Sequence, residues 1–202
     1  MSSTQRMPSE SECIDILLEE GCKRNVIEHV CTVRSIAMEM ARLSSAKLEL
    51  VAAGALLHDV GRGRRQDVKH VSEGARIARE RGLPNELVRV IERHGAAGLT
   101  EDEARDLGLP PGVYMPETLE EKIVCHADNL VNGRGGVQTL EQATEEMMHR
   151  GYSTTAEKMR KMHSELSQAC GENIDDVVRR LRSSGGVKGS CAAYIGRRDA
   201  RP

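Results

Sequence analysis

Six histidine and aspartate side chains between residues 29 and 128 form the part of this sequence best suited to chemistry. They are His29, the adjacent His58 and Asp59, His70, His94 and Asp128. Imidazole nitrogens and carboxylate oxygens are ligands for borderline divalent metal ions. In an adjacent His-Asp pair both side chains can reach one ion, and the carboxylate keeps a second oxygen for another. The residue types therefore predict a site for one or two metal ions.

Three of these histidines, at positions 29, 58 and 94, lie on apolar stripes of helical spacing. His29, for example, shares one helical face with Val33, Ile36 and Met40, which directs its ring inward. A buried imidazole needs a partner for each ring nitrogen. A hydrogen bond in the core would satisfy any one of these rings alone, whereas a shared metal ion accounts for all three.

The other histidines are less informative. His70 begins a predicted helix, where an ordinary exposed side chain is the alternative to a ligand. His126 lies on the apolar stripe of its helix and is expected in the core or behind the ligands. His149 and His163 fall on polar helix faces, which predicts that both are exposed to solvent.

The two aspartates follow apolar segments, so each is expected in a desolvated position. An unpaired buried carboxylate is very costly. For Asp59 a salt bridge to Arg62 or a cap on the following turn would be an alternative explanation. The adjacent His58 favours a metal ligand instead, and the same desolvation argument applies to Asp128.

Nearly the whole chain is predicted to be helical. It contains three Tyr and neither Phe nor Trp, so the core must consist of aliphatic side chains, which suit helices better than sheets. Capping boxes are predicted where Asn25, Thr100 and Thr118 precede a glutamate by three residues. The predicted helices cover about residues 11–20, 25–43, 47–61, 70–81, 84–94, 100–108, 118–131, 140–150, 155–170 and 174–182.

The chain divides into three predicted parts: a domain over residues 1–135, a helical extension packing on it over 136–183, and a disordered tail over 184–202. The net charge is −2 and aromatic side chains are almost absent, so neither a basic surface nor a base-stacking surface points to nucleic acid. No run approaches the roughly 18 apolar residues of a membrane span. We expect a cytoplasmic protein, with the C-terminal helices available for a homodimer interface.

Three segments resemble the HD superfamily of metal-dependent phosphohydrolases. His58-Asp59-Val60-Gly61-Arg62 resembles the H-D-[IV]-G-[KR] signature of the HDIG branch, and the segment over 70–75 resembles the H-x-x-x-G-A step that follows it. The segments over 92–100, 109–111 and 116–128 are similar to an uncharacterised, mostly archaeal subfamily. The resemblance covers roughly residues 10–135 and implies an all-α HD-domain helical bundle with the metal site at its centre.

The resemblance also implies roles for individual residues. One metal ion would be bound by His29, His58, Asp59 and Asp128, and Asp59 would bridge to a second ion held by His70 and His94. The ions would be Fe, Mn, Co, Ni or Mg, and two of them about 3.5–4 Å apart would activate a water for attack on phosphorus. Asp59 and Arg62 would be catalytic, while Arg62 and Lys69 would bind the phosphate. Many binuclear relatives have two adjacent histidines where this chain has His94-Gly95, so a mononuclear site remains the alternative.

The predicted function is hydrolysis of a nucleotide or another small phosphate ester by a metal-activated water. Two alternatives remain open: a regulatory module that binds a nucleotide without turning it over, and a di-iron oxygenase of HD type. The sequence contains no Gly-rich phosphate loop that would identify the substrate.

Overall fold

The computed structural model describes residues 6–133 and 135–184 and shows, within these residues, ten α-helices and no β-strand. A 3₁₀ turn, Val60–Gly63, follows the third helix. The helices are α1 (Glu10–Glu19), α2 (Arg24–Arg42), α3 (Leu48–Leu57), α4 (His70–Glu80), α5 (Asn85–Glu92), α6 (Glu101–Asp106), α7 (Leu119–Asn129), α8 (Leu140–His149), α9 (Ser153–Cys170) and α10 (Ile174–Ser183). The predicted all-α fold is confirmed.

Local sequence explains where several helices begin. The predicted capping boxes of Thr100 and Thr118 are both formed, and in each the threonine side chain accepts a hydrogen bond from the backbone N–H three residues on. The capping box predicted at Asn25 is wrong. Helix α2 begins one residue earlier, at Arg24, and its N-cap Lys23 makes no side-chain capping bond. Asn25 is therefore free of a capping role.

The third predicted helix is divided. Helix α3 ends at Leu57, and His58 is its C-cap with the backbone N–H bonded to the carbonyl of Gly54. The chain then turns through Asp59 into the 3₁₀ turn instead of continuing to Gly61 as one helix. Because the chain changes direction at this point, His58 and Asp59 project from the end of a buried helix.

The 3₁₀ turn lies directly against α4. A Cβ added at Gly61 would be 2.0 Å from the carbonyl oxygen of His70, and one added at Gly74 would be 2.9 Å from a methyl group of Ile91. Real Cβ atoms essentially never approach other atoms so closely. The two glycines of the signature segments therefore allow the close packing that brings the start of α4 to the end of α3.

The last three helices pack on the rest of the described chain. Helix α10 contacts α2, and α9 contacts α7 and α2 while pairing with α8. Buried side chains of α9 and α10 belong to the main aliphatic core. The boundary near residue 135 stays a prediction, and residues 185–202 of the predicted tail lie outside the described residues.

None of the described helices is both long enough and apolar enough to span a bilayer.

Candidate metal centre

The ends of four helices and one face of α2 meet at a single cluster. Its members come from different parts of the chain, and all six ligands predicted from the sequence are present in it. They are His29 on α2, His58 and Asp59 after α3, His70 at the start of α4, His94 just after α5, and Asp128 near the end of α7. The fold thus brings together residues that are separated by up to 99 positions.

One half of the cluster surrounds the Oδ2 atom of Asp59. The Nε2 atoms of His29 and His58 each lie 3.8 Å from this oxygen. Asp128 Oδ1 lies 2.8 Å from His29 Nε2 and 3.5 Å from His58 Nε2. These atoms come from α2, α7 and the segment after α3, and they converge on one small volume.

The other half surrounds Oδ1 of the same carboxylate. His70 Nε2 lies 3.1 Å from Asp59 Oδ1, and His94 Nε2 lies 3.6 Å from it. His70 is buried, so the alternative of an exposed side chain at the helix start does not hold. Asp59 thus contributes one oxygen to each half of the cluster.

Backbone hydrogen bonds fix the rings of three histidines. In each ring Nδ1 lies 2.7–2.8 Å from the carbonyl oxygen three residues earlier. The donors are His58, His70 and His94, and the acceptors are the carbonyls of Ala55, Asp67 and Ile91. A carbonyl only accepts, so Nδ1 must carry the proton and Nε2 of the neutral ring presents a lone pair. This arrangement is typical of metal-bound histidine.

The second half of the cluster therefore fits a cation. His70 Nε2 and His94 Nε2 are 3.2 Å apart, and in the neutral rings both are acceptors facing each other. Two lone pairs at this distance repel, and a positive charge between them and Asp59 removes the repulsion. Mixed nitrogen and oxygen donors suit a first-row divalent ion. The residues present thus fit a metal ion.

The charges in the cluster reinforce this fit. Burial would raise the pKa of Asp59, but the surrounding histidines hold it well below its usual range. Burial likewise opposes ionisation of Asp128, and its contacts with His29 and His58 keep its pKa low. Burial lowers the pKa of His94, and its contact with Asp59 only partly offsets this. Two carboxylates are therefore ionised in a largely buried site.

Arg62 also contacts the shared carboxylate. Its Nε lies 2.7 Å from both Asp59 oxygens, so the predicted salt bridge exists alongside the histidine contacts. This contact fixes the orientation of Asp59. Lys69 is not brought to the cluster, because it lines a separate groove and its Nζ lies beside Gly108.

A cleft of about 690 Å³ opens onto the cluster. Of the six clustered residues, His29, Asp59 and Asp128 line it, while the other three lie behind them. Several lining residues were not predicted from the sequence. They are Asn25, Asn129, Asn132, Gln138, Glu146, Met147 and Arg150. Asn25 and Asn129 could have been suspected, since one lies a helical turn before His29 and the other directly follows Asp128.

The loop after His94 is held from two sides. Ala96 has a φ of +52°, which is uncommon for a residue with a side chain. Asn129 Nδ2 donates to the Ala96 carbonyl at 2.6 Å. Lys158 Nζ on α9 donates to the Gly98 carbonyl at 3.1 Å. Both α7 and the C-terminal helices therefore stabilise the segment that follows a clustered histidine.

His163 is buried, so its predicted exposure is wrong. Its Nδ1 lies 3.0 Å from Nε2 of His126, which is in the core as predicted, and its Nε2 lies 3.3 Å from Asn173 Oδ1. The polar face of its helix predicted that His163 is exposed to solvent. Its partner on α7 is 37 residues away in sequence, so the local pattern around His163 does not reveal it. The pair joins α7 to α9.

The geometry and the sequence agree on the family. The family model described as HD domain matches residues 26–133, and the chain belongs to this family. Among similar proteins, the tRNA (cytidine(56)-2'-O)-methyltransferase of Picrophilus torridus is 42% identical over 175 residues, which cover 87% of this chain and 51% of that protein. The chain therefore spans about half the length of this relative. An uncharacterised protein of Methanocaldococcus jannaschii is 46% identical over 127 residues, covering 60% of this chain and 75% of that protein.

A solved structure has the same fold. The HD domain of the L. monocytogenes phosphodiesterase PgpH, crystallised with cyclic-di-AMP, superimposes with a TM-score of 0.52 at 17% identity. The match covers 76% of this chain and 92% of the PgpH domain. The predicted resemblance to HD proteins with archaeal members is confirmed.

Proposed function

We propose that this protein is a metal-dependent phosphohydrolase that acts on a nucleotide or another small phosphate ester. The observation that carries the proposal is the position of Asp59, whose two oxygens each face a separate set of histidine nitrogens. A carboxylate shared in this way is suited to two ions close together. The half of the cluster around Oδ2 alone provides four ligand residues for one ion, namely His29, His58, Asp59 and Asp128.

The charged side chains that line the cleft support the proposal that the substrate binds only when a metal ion is present. Four carboxylates and two arginines line it: Glu28, Asp59, Asp128, Glu146, Arg62 and Arg150. With these charges alone the cleft is negative and repels phosphate. Divalent ions at the cluster reverse the sign, so we expect phosphate esters to bind only when the metal is present.

The reaction assigned to this site is hydrolysis at phosphorus. A bound divalent ion supplies a Lewis acid and lowers the pKa of a water molecule. Addition of water forms one P–O bond, the bond to the leaving oxygen breaks, and that oxygen takes up a proton. Asp59 and Asp128 would hold the positive charge, and Arg62 lines the cleft next to Asp59, where its remaining N–H groups would be available to a phosphoryl oxygen.

The names of the longer relatives suggest a second function, methyl transfer to tRNA. The chain spans about half of such a relative, and the cluster described above consists of side chains that could hold a metal ion. We assign the methyl transfer of those proteins to the half that the match with this chain does not cover. Incubation with a labelled methyl donor and tRNA transcripts tests this assignment directly, and labelled tRNA would contradict it.

The test of hydrolysis begins with chelator-treated protein, to which Mn²⁺, Fe²⁺, Co²⁺, Ni²⁺ or Mg²⁺ is returned. Substrates are an aryl phosphate, an aryl phosphodiester and a set of nucleotides. We expect turnover only with added metal, and a loss in Asp59→Asn larger than the roughly 10–100-fold typical of removing a partner behind a ligand. Asp102→Asn is the matched control, since Asp102 is 82% exposed and remote from the cleft lining.

Three results separate the alternatives. Tight nucleotide binding without turnover under any ion would favour the regulatory module. Consumption of oxygen by the iron-loaded protein would favour the oxygenase. Unchanged turnover in Asp59→Asn would contradict the proposed role of the shared carboxylate.

A further inference from the structure

One wall of the cleft lies outside the part of the chain matched by the family model. The match to the family model ends at residue 133, whereas α8 begins at Leu140. Glu146 and Met147 on α8 and Arg150 at its C-cap line the same cleft as the clustered ligands. The residues that form this wall of the cleft therefore belong to the C-terminal helices and not to the matched HD segment.

This wall is fixed in place. Ala143 on α8 packs with Met159 on α9 and with Ala97, three residues after His94. The backbone N–H at Leu140 donates to Asp175 Oδ1 at 2.9 Å. Helix α8 is thus held both by its neighbouring helices and by the loop next to the metal cluster. The side chains on its cleft side have a stable position relative to that cluster.

Arg150 is the cation on this wall. Its side chain is 57% exposed, and its ion-pair partner Glu146 lies 3.7 Å away, which exceeds the usual length of a hydrogen bond. Its guanidinium lies over the ring of Tyr152, with 5.5 Å to the ring centre, and this contact leaves the N–H edges open. Arg62 differs, since its Nε lies 2.7 Å from both oxygens of Asp59.

The size and lining of the cleft indicate what Arg150 would meet. A volume of about 690 Å³ is in the range of pockets that hold whole organic ligands, so it exceeds the need of one phosphate group. Among the described residues that line it there is no Phe, Tyr or Trp ring for stacking a base. The charged and polar side chains of the lining therefore offer the directional contacts away from the reacting phosphorus, beside the aliphatic Val26, Val131 and Met147.

We propose that Arg150 binds a second phosphate group of the substrate, so the substrate class is a small ester with at least two phosphate groups, for which a nucleoside diphosphate serves as the probe. This inference rests on the proposed phosphohydrolase function. The first phosphate lies at the metal cluster with Arg62, and the second meets the guanidinium on the α8 wall. Arginine suits this role because its planar N–H donors match phosphate oxygens in pairs.

The test compares ADP with AMP in the Mn²⁺-loaded full chain, for wild type and for Arg150→Gln. We measure both kcat/KM and the dissociation constant from direct titration. A charge-assisted hydrogen bond to phosphate predicts that the preference for ADP over AMP falls about 10- to 100-fold in Arg150→Gln. Arg150→Lys should restore part of the preference. Arg105→Gln is the control, since Arg105 is 71% exposed, paired with Asp102 and outside the cleft lining.

The titration keeps this proposal separate from the proposed function. If neither nucleotide is hydrolysed, the phosphohydrolase function fails, while a selective loss of ADP affinity in Arg150→Gln still supports the role of Arg150. Equal affinity of the wild type for ADP and AMP overturns the inference. The inference is also overturned if Arg150→Gln loses affinity for ADP and AMP equally, provided that its thermal unfolding matches that of the wild type.

Discussion

Replacing Gly61 with alanine tests whether close backbone packing sets the geometry of the metal cluster. The new Cβ would lie 2.0 Å from the His70 carbonyl oxygen, 2.7 Å from the Gly74 nitrogen and 2.9 Å from the His70 carbonyl carbon. All three are backbone atoms, so no flexible side chain can move aside. Ordinary contact begins at 3.4 Å, and the 3₁₀ turn and α4 must therefore separate by about 1.4 Å, the difference from 2.0 Å.

This displacement acts directly on two of the proposed ligands. Asp59 precedes the 3₁₀ turn and His70 begins α4, and their facing atoms, Oδ1 and Nε2, are 3.1 Å apart. Metal sites tolerate ligand displacements of only about 0.2 Å. We expect Gly61→Ala to lose the ion held by Asp59, His70 and His94. Overpacking against rigid backbone should also lower the free energy of unfolding by about 3 kcal/mol, the upper end of its usual range.

Metal content by mass spectrometry and urea unfolding of chelator-treated protein measure the two effects. Gly95→Ala is the control next to His94, because its Cβ would meet only a methyl group of Val71 at 3.2 Å. Gly74→Ala should be intermediate, since its closest contact is a side-chain methyl group at 2.9 Å. The reasoning is refuted if Gly61→Ala keeps the metal content of the Gly95 variant and a stability within about 0.5 kcal/mol of it.

Three further predictions concern the surroundings of the cluster. Asn129→Ala removes a 2.6 Å hydrogen bond to the Ala96 carbonyl. We expect faster hydrogen exchange over residues 95–99 and a free energy of unfolding in urea lower by about 1–2 kcal/mol. Unchanged exchange would show that this hydrogen bond does not hold the loop. Lys158→Met removes the donor to Gly98 and should weaken metal retention measured by dialysis, whereas retention equal to wild type would show that α9 does not support the loop. Burial lowers the pKa of His126 to about 3, so the unfolded chain binds a proton below pH 6.5 that the folded chain does not. Stability should therefore fall with decreasing pH between about 6.5 and 3, by up to about 1.4 kcal/mol per pH unit, and His126→Leu should flatten this slope; parallel slopes for both proteins would refute it.

The sequence predicted features that depend on neighbouring residues. Capping boxes at Thr100 and Thr118 formed as expected, because the cap and its partner are three residues apart. At Asn25 the same pattern failed, since α2 starts at Arg24 and Asn25 faces the cleft. A capping motif shows only that a helix can begin at a given residue. The packing of the whole helix decides whether the helix begins there.

Features that depend on distant residues were not predictable in this way. The His163 ring is buried by a partner on another helix, and Arg150 reaches the cleft through the packing of α8 on the loop after α5. Lys69 is the opposite case, since it adjoins His70 in sequence but lines another groove. The clustering of these six residues was predicted through the resemblance, whereas residue types and helical spacing alone predicted a metal site and inward-facing histidines without specifying which residues meet.

The three histidines oriented by backbone carbonyls have a consequence for divergence within the family. The hydrogen bond is accepted by a main-chain oxygen, so it sets no requirement on the side chains of residues 55, 67 and 91. Only the packing of those side chains, two of which are buried, limits which residues can replace them. What relatives must retain is a helix end or turn that places a main-chain carbonyl three residues before the histidine. Such a centre survives extensive sequence drift, and relatives should be recognisable by the spacing of a few residues even where the rest of the chain has changed.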